Sequence, residues 1–233
     1  MKSIAIMQPT FLPWIGYFSL IDRVDEYVFL DHVQFDKRSW QQRNRIKTPQ
    51  GSMWLSASVI TKGRSDQALK DVELLYEGNK NPFDKIKNSI DHNYKKSKYY
   101  NEYAADLYAF FDEKPQYISD LNQNIIKWAC NILDIQTPFI KSSELFVEGD
   151  KDILLANICK DRGATHYISP PGSKAYLDDS DTFETAKIHL SYHDYNHPTY
   201  TQLCGDFEPY MCILDLLFNE GSNSANIIKT GLS

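Results

Sequence analysis

Cysteine is scarce in this chain of 233 residues: there are four, Cys130, Cys159, Cys204 and Cys212. None forms a C-x-x-C pair and no nearby histidine completes a zinc pattern, so they read as buried, reduced thiols and no metal is expected. Ten glycines and ten prolines are too few for a low-complexity chain. Long hydrophobic runs are missing as well. No segment approaches the roughly 20 apolar residues that cross a bilayer. The opening MKSIAIMQPTFLPW lacks the apolar run and cleavage site of a signal peptide, so a cytoplasmic location is expected. Nor is there a basic excess: 25 Lys and Arg against 31 Asp and Glu leave a formal net charge of -6. That argues against general nucleic-acid binding but leaves room for a local basic pocket. The chain has no Walker A loop, no G-x-G-x-x-G and no internal repeat.

Aromatic residues are plentiful, with 15 Tyr and 12 Phe, so core and pockets should be aromatic-lined. A short apolar strand over residues 2–7 runs into a turn with two prolines, then a helix from about Gly16 to Arg23 and a strand at 26–30. Residues 31–51 read as a long polar loop, and 53–60 alternate as a strand. From about Pro82 to Leu133 the apolar residues fall at helical spacing. Short elements then return: a strand at 139–140, a helix over 151–162 closed by Gly163, strands at 165–169 and 188–192, and a helix over 209–219. The expectation is an α/β fold: a Rossmann-like, mostly parallel sheet with helices on both faces and a helical insertion. Residues 1–233 are read as a single domain, with 80–135 a mostly helical insertion or subdomain.

Five constellations carry candidate chemistry. The turn Gln8-Pro9-Thr10-Phe11-Leu12-Pro13-Trp14-Ile15-Gly16-Tyr17 presents backbone N–H groups at a helix start, where an anion would sit; otherwise it is a proline-stiffened structural turn. Asp31 and His32 follow a strand end, the position of many catalytic groups, or else pair within a solvated loop. Gln34, Lys37, Arg38, Trp40, Arg43, Asn44 and Arg45 form a dense polar and basic stretch: guanidinium forks suit phosphate, and the tryptophan suits stacking on a base or sugar. Ser169, Gly172, Ser173, Lys174 and Tyr176 lie in a rigid turn after a strand and either close over a phosphate or form an ordinary surface turn. Last, His197, Tyr200 and Gln202 precede Asp215 and Asn219, which are four apart on one helix face. Polar groups there need partners, either from the protein or from a ligand.

QPTFLPWIGYFSLID, VFLDHVQFDKRSWQQRNRIKTPQG, HPTYTQ and FEPYMCILDLLFNEG together resemble the WbqC-like family of bacteria, in the family's order and almost end to end. The resemblance implies association with O-antigen and other surface-polysaccharide systems, and an aminoacyl (glycine) or acyl transferase role. The implied acceptor is the amino group of a nucleotide-linked amino sugar. On that reading Asp31 orients the amine, and His32 or His197 acts as base. Arg38, Arg43 and Arg45 hold the diphosphate, and Gln8 with the backbone near Gly16 holds the second substrate. The donor stays open between aminoacyl-tRNA, an acyl thioester and an amino acid with ATP, and no cofactor is named. A weaker likeness, to the nucleotidylyl-transferase superfamily, rests on the opening strand, turn and helix. There Tyr17 stands where that superfamily has histidine. An ATP-dependent ligase or nucleotidylyl transferase is therefore one alternative, and a non-catalytic binding protein of a polysaccharide assembly system is another.

Overall fold

The computed structural model describes residues 1–78 and 81–232. Its centre is a five-stranded parallel sheet in the order β5-β2-β1-β6-β7. The strands are β1 (Ser3–Met7), β2 (Glu26–Phe29), β5 (Phe139–Lys141), β6 (His166–Ser169) and β7 (His189–Tyr192). Each is short, and the interior ones are apolar on both sides, as a sheet covered on both faces requires. Along β1 the side chains alternate: Ile4 and Ile6 join one buried cluster, and Ala5 joins the other. Helix α5 (Lys151–Asp161) and the short α6 (Lys174–Leu177) and α7 (Thr182–Thr185) feed the first cluster through Leu154, Ile158, Leu177 and Phe183. Helices α1 (Ile15–Asp22), α8 (Ile213–Glu220) and α9 (Ser224–Thr230) feed the second.

Helices α2 (Asp84–Tyr94), α3 (Tyr100–Asp112) and α4 (Ile118–Ile132) form the expected helical stretch ahead of β5. Its expected boundary at residue 80 lies outside the described residues. Ile86, Leu107, Phe111 and Ile125 belong to the same buried cluster as Tyr27 and Phe29, so these helices pack as one core with that face of the sheet. Among the described residues no helix is long and apolar enough to cross a membrane.

Some elements differ from the sequence expectation, including the strand expected at 53–60, which spans Gly51–Ser56. Residues 31–51 are not all loop, for β3 (Arg43–Thr48) pairs antiparallel with β4 (Gly51–Ser56) as a separate hairpin. The basic side chains had masked a period of two. Asn44 and Ile46 turn inward and are buried, while Arg43 and Arg45 point away. The late helix also starts later than expected, at Ile213, because Cys212 bridges to Trp14 and Tyr210 takes a left-handed φ of 63°.

Candidate functional site

The chain winds from β1 outward to β2 and β5, then returns across β1 to β6 and β7. The direction of winding reverses between β1 and β6, and the crevice beyond the carboxyl ends of two such strands is where open α/β sheets bind ligands. A two-lobed cleft lies there. The first lobe, about 390 Å³, is lined by Gln8, Thr10, Asp36, Ser39, Trp40, Gln41, Pro170, Ser173 and Tyr176 among others. The second, about 270 Å³, is lined by Trp14, Tyr17, Asn44, Arg45 and Tyr210. Met7, Thr10 and Trp40 line both, so the lobes adjoin across them.

The turn after β1 is rigid, but not to expose a helix N-terminus. Leu12 adopts a left-handed φ of 48°, and the buried Asn44 Nδ2 donates to Phe11 O and Leu12 O at 3.2 and 2.7 Å. Phe11 N–H donates to Trp40 O, and Ile213 N–H to Pro13 O. A Cβ on Gly16 would lie 2.1 Å from the Trp14 ring, so this glycine exists to let the indole lie flat on the helix start. Tyr17 is buried and its hydroxyl donates to Gln8 O at 3.1 Å, with burial pushing its pKa upward.

A chain of amides then orients the first lobe. Asp36 N–H donates to Gln41 Oε1 at 2.9 Å, and Gln41 Nε2 donates to Gln8 Oε1 at 2.8 Å. This leaves the Gln8 NH₂ as a pre-aimed donor. Asn122, fully buried on α4, clamps the loops from behind by donating to Pro9 O and Gln41 O. Ser169 is buried 2.5 Å from Ser173 Oγ, and Ser173 in turn donates to Pro170 O. Ser173 and the half-exposed Tyr176 reach the cleft. Ser169 and Gly172 do not line it.

Among the described residues lining the cleft, Asp36 is the acidic group and Arg45 the basic one. The Arg45 guanidinium lies 5.9 Å from the Trp40 ring and 5.8 Å from Trp54, and Arg43 stacks 4.3 Å over Trp54. Neither arginine forms an ion pair among the described residues. Arg45 Nε is buried with no hydrogen-bond partner there. A buried, unpaired donor on a fixed charge is costly unless a ligand completes it.

Several sequence candidates stand elsewhere. Asp31 is buried and accepts from Ser142 Oγ, Ser143 N–H and Ser143 Oγ at 3.1, 2.9 and 2.9 Å, tying β2 to the turn after β5. His32 Nδ1 lies 2.6 Å from Ser142 Oγ in the same knot. Gln34 donates to Ser65 O, Lys37 borders a separate surface hollow with Arg64, and exposed Arg38 takes a left-handed φ of 64°. His197 has neither ring nitrogen free. Its Nδ1–H donates to Pro198 O at 2.9 Å, Nε2 accepts from Tyr210 N–H at 3.1 Å, and burial lowers its pKa. It stacks on Trp14 as part of that indole's support. Asp215, fully buried with its pKa raised by burial, accepts from Tyr94, Tyr200 and Gln202, each at 2.8 Å. Asn219 donates to Asp215 O. These partners come from the protein itself.

Sequence reasoning singled out Gln8, Tyr17, Trp40, Asn44, Arg45, Ser173 and Tyr176, which the fold brings together, and passed over Asp36, Gln41 and Asn122. The pair Gln41-Gln42 beside Trp40 was the visible signal for the amide chain. Asn122, on the apolar side of α4, was a buried-polar signal.

The model of the WbqC-like protein family matches residues 8–227. The chain is 36% identical over 234 residues, 98% of each chain, to a Mycobacterium tuberculosis protein named "Uncharacterized protein Rv1507c". No solved structure matches the chain significantly.

Proposed function

The chain belongs to the WbqC-like protein family, and from that membership and the cleft we propose that it is an aminoacyl or acyl transferase acting on the amino group of a nucleotide-linked amino sugar in surface-polysaccharide biosynthesis. The observation that carries this reading is the division of charge in the cleft: the carboxylate of Asp36 in one lobe, the unpaired Arg45 in the other. A nucleotide-linked amino sugar has the matching polarity, cationic at the sugar amine and anionic at the diphosphate.

In the reaction the sugar nitrogen attacks the donor's acyl carbon. A new C–N bond forms, the bond to the donor's leaving group breaks, and the amine proton passes to Asp36 and on to the leaving group. Gln8 Nε2, held by Gln41, donates to the carbonyl oxygen as it gains charge. Arg45, with Arg43 beside it, holds the diphosphate, and aromatic stacking keeps both guanidiniums in place. His32 and His197 take structural roles in this scheme because their surroundings already occupy them.

Calorimetry with nucleotide-linked amino sugars, joined to an acyl-transfer assay, tests it. Arg45→Ala should weaken binding by about 1.5–3 kcal/mol, the worth of a charge-assisted hydrogen bond. Asp36→Asn should keep nucleotide binding and lose transfer at least a hundredfold. If transfer persists in Asp36→Asn, the acid–base assignment is wrong. Binding without transfer for every donor class would favour a binding protein instead, and pyrophosphate release from ATP would favour nucleotidylyl transfer.

A further inference from the structure

The outward face of the β3–β4 hairpin is aromatic and basic at once. Arg45 pairs with Trp54 and Arg43 with Ser56, so these four share the side opposite the buried Asn44 and Ile46. Trp54 is 44% exposed, and Trp40, from the turn before β3, is 48% exposed. Their rings lie 5.3 Å apart, inclined at 41°. Along β4 the outward neighbours of Trp54 are Ser52 and Ser56, both exposed and too short to cover an indole. Two adjoining indoles left half in water are a ready stacking surface. Arg43 and Arg45 add two guanidiniums to this face, with no ion pair among the described residues, in a chain whose formal net charge is -6. The complement of such a face is anionic and carries a flat ring.

This face is continuous with the cleft. Trp40 lines both lobes, whereas Trp54 lines neither. The Arg45 guanidinium lies 5.9 Å from one indole and 5.8 Å from the other, so an anion held by Arg45 has both rings beside it. Resting on the reading that Arg45 holds the diphosphate of a nucleotide-linked sugar, we infer that Trp54, together with Trp40, is the platform on which the base of that nucleotide stacks, outside the two lobes. Sugar and diphosphate occupy the cleft, and the nucleoside leaves it over Trp40 onto the hairpin. Recognition there is by stacking, and every base has a π-face, so purines and pyrimidines are both accepted.

Calorimetry of the full chain with uridine diphosphate, adenosine diphosphate and inorganic pyrophosphate tests the inference. Both nucleotides should bind roughly tenfold or more tighter than pyrophosphate, which carries the charge without a ring, since one base stack is worth about fivefold to a hundredfold. Trp54→Ala should remove most of that advantage. The advantage, rather than the affinity itself, is the readout, because a loosened Arg43 would weaken all three ligands alike. Trp54→Phe keeps a flat ring at the same half-exposed position and should retain the larger part of it. Nucleotides that bind no better than pyrophosphate, or an advantage unchanged in Trp54→Ala, would overturn the platform and leave the nucleotide-sugar reading standing. Binding of neither nucleotide, nor of any nucleotide-linked amino sugar, would overturn both.

Discussion

Asp215 is fully buried, with two tyrosines and a glutamine donating to one carboxylate. Asparagine at this position would set its own N–H groups against those donors. Asp215→Asn should therefore cost about 2–4 kcal/mol in chemical denaturation, and a cost under about 0.5 kcal/mol would show the hub to be dispensable. Gly16 is a second fixed point. Gly16→Ala drives a methyl into the Trp14 ring, which His197, Tyr195 and Tyr210 hold in place, and should destabilise by about 1–3 kcal/mol while deforming the second lobe. Both positions were visible in the sequence as unusual residues. Their roles were not, because Tyr94 lies 121 residues from Asp215, and because a glycine required by a flat ring reads the same as one required by an anion.

Two elements make the site more than a sheet edge. The β3–β4 hairpin brings Asn44 under the turn and Arg45 into the cleft, and successive residues do these opposite jobs because a strand points them to opposite faces. Its basic composition hid it, since Arg43 and Arg45 cover the outward positions that would otherwise show the alternation. The helical stretch contributes through α4, whose Asn122 bonds two loop carbonyls at once. Asn122→Ala would leave both without a partner, and should lower stability by about 1–3 kcal/mol. Nucleotide affinity should fall with it, although residue 122 lines neither lobe. Unchanged affinity in a folded Asn122→Ala protein would confine this helix to a purely structural role. The helices themselves were legible from their apolar spacing. That one of them buttresses the cleft was not.

Over the whole molecule, three histidines are kept neutral by their surroundings. Burial pushes His193 from the usual 6.5 down to about 4, and it lowers His197 and His166 in the same direction, with His189 and Arg23 adding repulsion at His166. A folded pKa below the unfolded one means that the unfolded chain takes up the proton first. Stability is therefore fully present above about pH 6.5 and drains as pH falls toward 4, by up to ~1.4 kcal/mol per pH unit from His193 alone. Asp215, raised by burial, works in the opposite sense and offsets part of the loss in acid. Denaturation midpoints measured across this range should show the fall, and His193→Leu should reduce its slope; an unchanged slope would rule out His193 as its source. The sequence by itself determined the α/β class, the helical stretch, the family likeness and most of the polar residues around the cleft, because periodicity and local composition are properties of neighbours along the chain. Only the tertiary structure decided which of those residues face a ligand. Partner choice depends on groups more than a hundred residues apart, where Ser142 and Ser143 claim Asp31 and Tyr94 claims Asp215, and on how nearby loops fold, where Tyr210 and Pro198 claim His197, while Asp36 and Arg45 are left facing the cleft.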